Sequence, residues 1–302
     1  MSGQAQRLAQ GGRIDRSKPL NFRFDGRAFQ GYAGDTLASA LMANGVSLIG
    51  RSFKYHRPRG IFSAGSEEPN ALVQLGAGGR SEPNVRATQI ELYDDLVAES
   101  QNRWPSLEID FGSVNNLLSP LFPAGFYYKT FMWPRSLWMT YESVIRKMAG
   151  MGKAPTEADP DRYERVNAHC DVLVVGGGSA GLMAALAAAR SGARVILADE
   201  QNEFGGSLLG ARETIDGAPA LDWVGATVRE LATASEVRLL PRATVFGYYD
   251  HNFLGIAERV GDHAALKGGA LRQRFWRVRA KRVVLATGAI ERPLVFAYND
   301  LP

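Results

Sequence analysis

Cysteine is almost missing from this sequence: Cys170 is the only one in 302 residues. A single thiol excludes an internal disulfide, excludes an iron–sulfur cluster ligated by cysteines of this chain alone, and fits a reducing compartment. Long apolar runs are missing too. None reaches the roughly 18 residues of a membrane span, and the opening MSGQAQRLAQGGRIDRS lacks the apolar core of a signal peptide. Histidine is scarce, with 4 residues, and His56 has no second His or Cys at metal-ligand spacing. Neither sign of charge dominates: 35 Lys and Arg against 31 Asp and Glu leave a net +4. No basic cluster accompanies a nucleic-acid motif, so the surplus reads as a solvated surface. The expectation is a cytoplasmic globular protein, with no nucleic-acid and no membrane partner, long enough for two domains.

What is present is glycine in a particular order. Asp171 to Glu200 reads DVLVVGGGSAGLMAALAAARSGARVILADE. Val172 to Val175 form an unbroken apolar run of the kind a parallel strand buried on both faces needs. Gly176, Gly178 and Gly181 complete GxGxxG, in which the first glycine turns the chain and the second lets backbone approach a pyrophosphate. The third lets the helix sit against the strand. The segment Leu182 to Arg190 is a thin helix of Ala, Leu and Met, with Gly192 at the place of a left-handed cap. Val195 to Leu197 are a second strand ending at Asp199 and Glu200, where an acid hydrogen-bonds a ribose 2′-hydroxyl and repels a 2′-phosphate. The pattern predicts NAD or FAD rather than NADP, and the fingerprint alone does not separate those two.

Around this unit the chain divides into an arm at 1–18, a compact domain at 19–100, an aromatic connector at 101–165 and a nucleotide domain at 166–302. In the first domain Asn21 to Phe24 and Arg27 to Tyr32 flank the hairpin signal Asp25-Gly26. Asp35 or Thr36 then caps a helix with Leu37, Ala40 and Leu41 inward, ended by Gly45. Strand, turn, strand and capped helix open a β-grasp unit. Arg51, Lys54, His56, Arg57 and Arg59 lie on the loop that follows, leading to a strand at Ala71 to Leu75. They read either as an anion site or, preferably, as a loop salt-bridged by Glu67 and Glu68.

The connector carries Phe122, Phe126, Tyr127, Tyr128, Phe131, Trp133, Trp138 and Tyr141, interrupted by Pro120, Pro123 and Pro134. A helix is expected from Arg135 to about Lys147, and Gly150 to Tyr163 reads as a polar linker. The aromatics read as packing, as a subunit contact, or as both. Beyond Glu200, Phe204-Gly205-Gly206-Ser207 places a glycine pair against a cofactor, with a hydroxyl at Ser207. A helix at Ala220 to Ala234 and a third parallel strand at Val237 to Leu240 follow. Three short antiparallel strands (Thr244 to Tyr249, Phe253 to Val260, Leu271 to Val278) precede a strand into Ala286-Thr287-Gly288. This is the two-dinucleotide flavoprotein pattern, and on pattern alone the Ala-Thr-Gly element leans to FAD.

The phrases DGRAFQGYAGDTLASALMANGV, SFKYHRPRGI, EEPNALV and NVRATQIELYDDLVAESQNRWPSLEID resemble the α subunit family of heterotetrameric sarcosine oxidase. The resemblance implies an α/β and α+β chain: a ferredoxin-like β-grasp domain without an iron–sulfur cluster, then a Rossmann-like two-dinucleotide oxidoreductase domain. Where related subunits carry cluster cysteines, Ser63, Ala64, Gly65 and Thr88 stand here. It implies partners (β, γ and δ subunits) and a complex that demethylates sarcosine to glycine with hydrogen peroxide, passing a one-carbon unit to tetrahydrofolate. FAD would sit in the β subunit, FMN at the α–β interface and NAD in this chain. NAD would contact Gly176, Gly178, Ala180, Gly181, Asp199, Glu200, Gln201 and Ser207, with Val245, Thr287 and Gly288 nearby. No residue reads as the acid, base or nucleophile of amine oxidation. Stopping at Pro302, the chain is expected to be an N-terminal piece of a longer subunit, truncated before a folate-binding region. Two alternatives stand beside this: an FAD-binding α subunit of an opine or hydroxyproline dehydrogenase, and a scaffold in which the nucleotide is structural.

Overall fold

The fold is described from a computed structural model over residues 4–122, 125, 132–148, 150–265, 268–290, 293–297 and 299. Phe126, Tyr127, Tyr128 and Phe131 of the aromatic connector, with Pro123 and Pro302, lie outside these residues. The chain forms two compact units, Met1–Pro160 with Arg292–Pro302, and Asp161–Glu291.

In the first unit β1 (Asp15–Phe24) and β2 (Arg27–Ala33) are the predicted hairpin. Asp25 and Gly26 both have positive φ, 49° and 76°, as a two-residue type I′ turn requires. The first strand starts at Asp15, ahead of the expected Asn21, because Ala33 offers Asp15 a partner across a register shift. Helix α1 (Leu37–Ala43) is capped by Thr36, whose side chain accepts the Ser39 N–H while Ser39 accepts the Thr36 N–H. Asp35 is not the cap. It is buried, paired with Arg7 at 2.7 Å, and accepts the Tyr32 N–H.

Strands β3 (Leu72–Leu75), β4 (Glu82–Arg86) and β5 (Leu96–Ser100) complete a five-stranded sheet in the order β2-β1-β5-β3-β4. The β1–β5 pair is parallel and the others antiparallel. Phe22, Phe24, Leu37, Leu41, Val73, Leu96 and Ala98 close the core between α1 and this sheet.

The loop from Arg51 to Ala71 departs from expectation. Glu68 does not answer the loop cations. It is wholly buried, and its carboxylate accepts four backbone N–H groups, from Phe62, Ser63, Asn70 and Ala71. Arg51 instead donates to the carbonyls of Leu107 and His56, and Arg57 to Asn116 while stacked over Tyr55. His56 is buried, with Nδ1 hydrogen-bonded to Asp110 Oδ2 at 2.6 Å. Farther on, Arg135–Leu137 form a short turn leading into α2 (Trp138–Met148); Leu137 in the turn and Val144 on the helix are exposed.

In the second unit β6 (Arg162–Val175), α3 (Ser179–Arg190), β7 (Val195–Ala198), α4 (Ala220–Thr233) and β8 (Val237–Leu240) follow the predicted alternation. Strands β9 (Ala243–Tyr249), β10 (Phe253–Arg259) and β11 (Leu271–Leu285) complete a six-stranded sheet ordered β8-β7-β6-β11-β10-β9. Two expectations are corrected. Residues 271–278 and 282–285 are one strand, and β6 reaches back to Arg162, into the predicted linker. The cause is shared: each long strand gives the other a parallel partner along its whole length, from Leu271↔Arg162 to Leu285↔Val175.

Leu173, Val175, Ile196, Leu254 and Ile256 fill one face of the sheet. Val174, Leu182, Leu186, Leu197 and Leu231 fill the other under the helices. Among the described residues no helix is long and apolar enough to cross a membrane.

Asp171 sits where three parallel strands run side by side. It bonds the Arg194 guanidinium and N–H and pairs with Lys281 at 2.8 Å. Arg194 first, then Lys281, hold its carboxyl well below the usual carboxylate range. Its neighbour Cys170 is buried, and that burial pushes the thiol up to about 11. Because the native pKa of Asp171 is the lower one, its stabilisation is fully present above the unfolded value of about 3.9 and is lost as pH falls through the native value. Asp171→Asn is therefore expected to lower the melting temperature at pH 7, and the gap to wild type to narrow as pH drops below about 4. Thermal melts across that range check it; a gap independent of pH contradicts it.

Candidate dinucleotide-binding site

Each glycine of the fingerprint has a separate physical reason in the structure. Gly176 has φ +99°, and a Cβ there would press into the Ala286 carbonyl. A Cβ at Gly181 would overlap the Gly176 carbonyl, so α3 lies against β6 at a distance only hydrogen permits. Gly178, the N-cap of α3, is different: φ is −72°, and the nearest atom to an added Cβ is the Gly206 Cα at 3.8 Å. Among the described residues no contact demands a glycine there. What a side chain at Gly178 would obstruct is the approach of something else to the first turn of α3. That turn presents its unpaired N–H groups at Ser179 and Ala180, both exposed.

The acid arrives at the same place. Asp199, buried at the end of β7, accepts the Gly177 N–H through Oδ2 at 2.5 Å and the Gln201 N–H through Oδ1 at 2.8 Å. Each oxygen keeps a lone pair for a sugar hydroxyl. Glu200 does not reach the glycine turn through its backbone, whose carbonyl accepts from Arg259 at 2.7 Å. The glycine pair closes the other side: Gly205 donates to the Gly177 carbonyl at 2.8 Å, and Gly178 bridges Gly205. Ser207 follows in the turn Gly206–Leu209 and is exposed.

Thr287 and Gly288 follow Ala286, which donates to the Val175 carbonyl at 2.8 Å and so lies beside Gly176. Val245 is two residues past Ala243, whose N–H donates to the Asp199 carbonyl at 2.7 Å. The glycine turn, Ala180, Asp199 and Gln201 thus gather at the carboxyl ends of β6 and β7, and Thr287 and Gly288 at that of β11, where open α/β sheets take ligands. Val245 lies on β9, paired with Ile256 and packed into the core. Sequence reasoning missed Gly177 and Phe204. The Phe204 ring is buried where a Gly177 side chain would stand. The third consecutive glycine was the available signal.

Comparison with known proteins bears on what this crevice serves. Residues 17–103 match the model of a 2Fe-2S iron-sulfur cluster binding domain, and residues 171–253 that of an FAD dependent oxidoreductase. The chain is 59% identical, over 98% of its length, to the α subunit of sarcosine oxidase from Rhizobium meliloti (strain 1021). This chain is a relative of sarcosine oxidase α subunits. It spans 30% of that relative's length. An opine oxidase subunit of Rhizobium meliloti is 35% identical over 41% of this chain and is covered to 24%. The L-proline dehydrogenase of P. horikoshii shares the fold, with TM-score 0.58 and 21% identity over 95% of this chain and 44% of that one. The mixed α/β architecture, a ferredoxin-type domain followed by a flavin-oxidoreductase domain, agrees with the expected fold class.

Two substitutions separate the glycine roles. Gly181→Ala is expected to destabilise the second unit by about 1–3 kcal/mol, since neither backbone can yield. Gly178→Val should change stability by no more than about 1 kcal/mol while weakening nucleotide binding at least tenfold. Calorimetry and equilibrium titration check the pair; unchanged affinity in Gly178→Val contradicts the assignment.

Proposed function

We propose that the chain is part of the α subunit of a heterotetrameric sarcosine oxidase, where it holds NAD and helps assemble the complex. The observation that carries the site is the bare backbone at Gly178, which the fold itself does not require. The 59% identity to a sarcosine oxidase α subunit carries the identity of the complex. Gly176, Gly178, Ala180 and Gly181 would seat the diphosphate against the first turn of α3. Asp199, with Glu200, Gln201 and Ser207, would hold the sugar, and Val245, Thr287 and Gly288 would border the cofactor. Asp199 favours a free 2′-hydroxyl, because a phosphate there would face its charge. When bound, the dinucleotide supplies hydride chemistry, while the chain supplies binding, orientation and charge.

The oxidation of sarcosine to glycine, with hydrogen peroxide and 5,10-methylenetetrahydrofolate formed, belongs on this reading to the assembled complex. It is cytoplasmic, with FAD on the β subunit, FMN at the α–β interface, and γ and δ subunits completing it. The ferredoxin-like domain is cluster-free, because the single thiol of the chain, Cys170, lies in the other unit.

A second reading is supported by the match of residues 171–253 to an FAD dependent oxidoreductase: the same crevice holds FAD, as in an opine-type dehydrogenase. Extraction of the purified subunit distinguishes them. NAD with no absorbance near 450 nm is expected, and a flavin band in this chain would replace the first reading with the second. Asp199→Ala is expected to abolish dehydrogenation with assembly intact. Full activity in that variant would leave the nucleotide a structural role only.

A further inference from the structure

The segment between β2 and β3 that matches a cluster-binding domain is folded around one carboxylate. Glu68 Oε2 accepts the N–H groups of Phe62 and Ser63, each at 2.7 Å. Oε1 accepts those of Asn70 at 2.6 Å and Ala71 at 2.9 Å. Donors from both limbs of the loop therefore converge on a side chain with no exposure at all. The crest between them is tied down by Thr88, whose hydroxyl donates to the Gly65 carbonyl at 2.6 Å.

Plant-type two-iron clusters are held by C-x4-C-x2-C with a fourth cysteine farther along. Started at Ser63, where the first such cysteine is expected, that spacing falls on Glu68 and on Ala71. The Ser63 hydroxyl oxygen is buried without a hydrogen-bond partner. Ala71 is fully buried, and Ala87, also fully buried, donates its N–H to the Ala71 carbonyl at 2.9 Å. Ser63, Ala71 and Thr88, the last standing where the fourth cysteine is expected and bonded to the Gly65 carbonyl, thus occupy with the carboxylate of Glu68 a framework of cluster spacing. They do not fit a cluster: no thiolate is present, and the four amides that would face sulfur already face oxygen.

We propose that Glu68 replaces the cluster as the anion around which this loop folds, leaving the domain a structural and assembly module through which no electrons pass. The proposal rests on the cluster-free reading of the first domain and adds the residue that made the metal dispensable. The physical need is specific. A loop shaped for a cluster points amide donors inward, and buried donors without acceptors are costly. One carboxylate offers two oxygens with four lone-pair sites, matching four donors, whereas a carboxamide offers one oxygen and turns two further donors against them.

Hydrogen–deuterium exchange on the full-length subunit tests this, comparing wild type with Glu68→Gln and with Glu68→Asp. Glu68→Gln is expected to speed exchange in peptides spanning 60–73 at least about tenfold, with peptides spanning 171–206 unchanged. Glu68→Asp, which keeps the charge on a shorter arm, should fall between. Unchanged exchange of 60–73 in Glu68→Gln would overturn the role of Glu68 alone. Iron and acid-labile sulfide assayed on anaerobically purified wild-type subunit should be absent; stoichiometric amounts would overturn the cluster-free reading beneath it.

Discussion

The second unit depends on one close contact, the passage of α3 across the carbonyl of Gly176 at Gly181. Because no side chain separates them, the helix begins directly at the end of a buried strand. Its unpaired N–H groups and the end of its dipole then open at the sheet's carboxyl edge. Asp199 reinforces this by tying the end of β7 to the glycine turn, and Gly205 by tying the following loop to the same turn. The sheet's edge there is lined by backbone atoms packed too closely for any side chain to intervene.

The two units handle a similar physical problem differently. In the second, solvent-exposed donors are left at a helix start, where an anionic ligand would complete them. In the first, inward-facing donors at 62–63 and 70–71 are completed from within by Glu68. A buried carboxylate that accepts four N–H bonds is an internal counterpart of a bound anion. On the proposal above, it closes the loop without a ligand. His56 and Asp110 do related work nearby: Asp110 receives the N–H of Trp104 and of Gly112 as well as the imidazole, joining two stretches of loop.

The likeness to sarcosine oxidase α subunits and the chemistry of the crevice are separate arguments. The first rests on identity along the chain, and the second on what Gly178, Asp199 and the start of α3 can bind. They agree on an oxidoreductase subunit. Neither places an acid, base or nucleophile for amine oxidation in this chain, and among the described residues no group of three or more His, Cys, Asp or Glu could hold a metal.

By its residue order alone, the chain already specified what short-range spacing controls. The Asp25-Gly26 hairpin, a helix cap at Asp35 or Thr36, the strand–glycine–helix–strand unit and the acids at Asp199 and Glu200 each depend on residues within about one supersecondary unit. The scarcity of cysteine likewise carried the expectation of a domain without a cysteine-held cluster. Tertiary structure alone decided what depends on partners far apart in sequence. The length of β6 and β11 follows from pairing each other across more than a hundred residues. The need for Gly177 follows from the Phe204 ring, and the burial of His56 from Asp110, 54 residues on. Glu68 is the sharpest case. Its charge suggested a surface partner for arginines, yet the converging amides of its own loop made it a buried core, because the nearest unsatisfied donors were backbone.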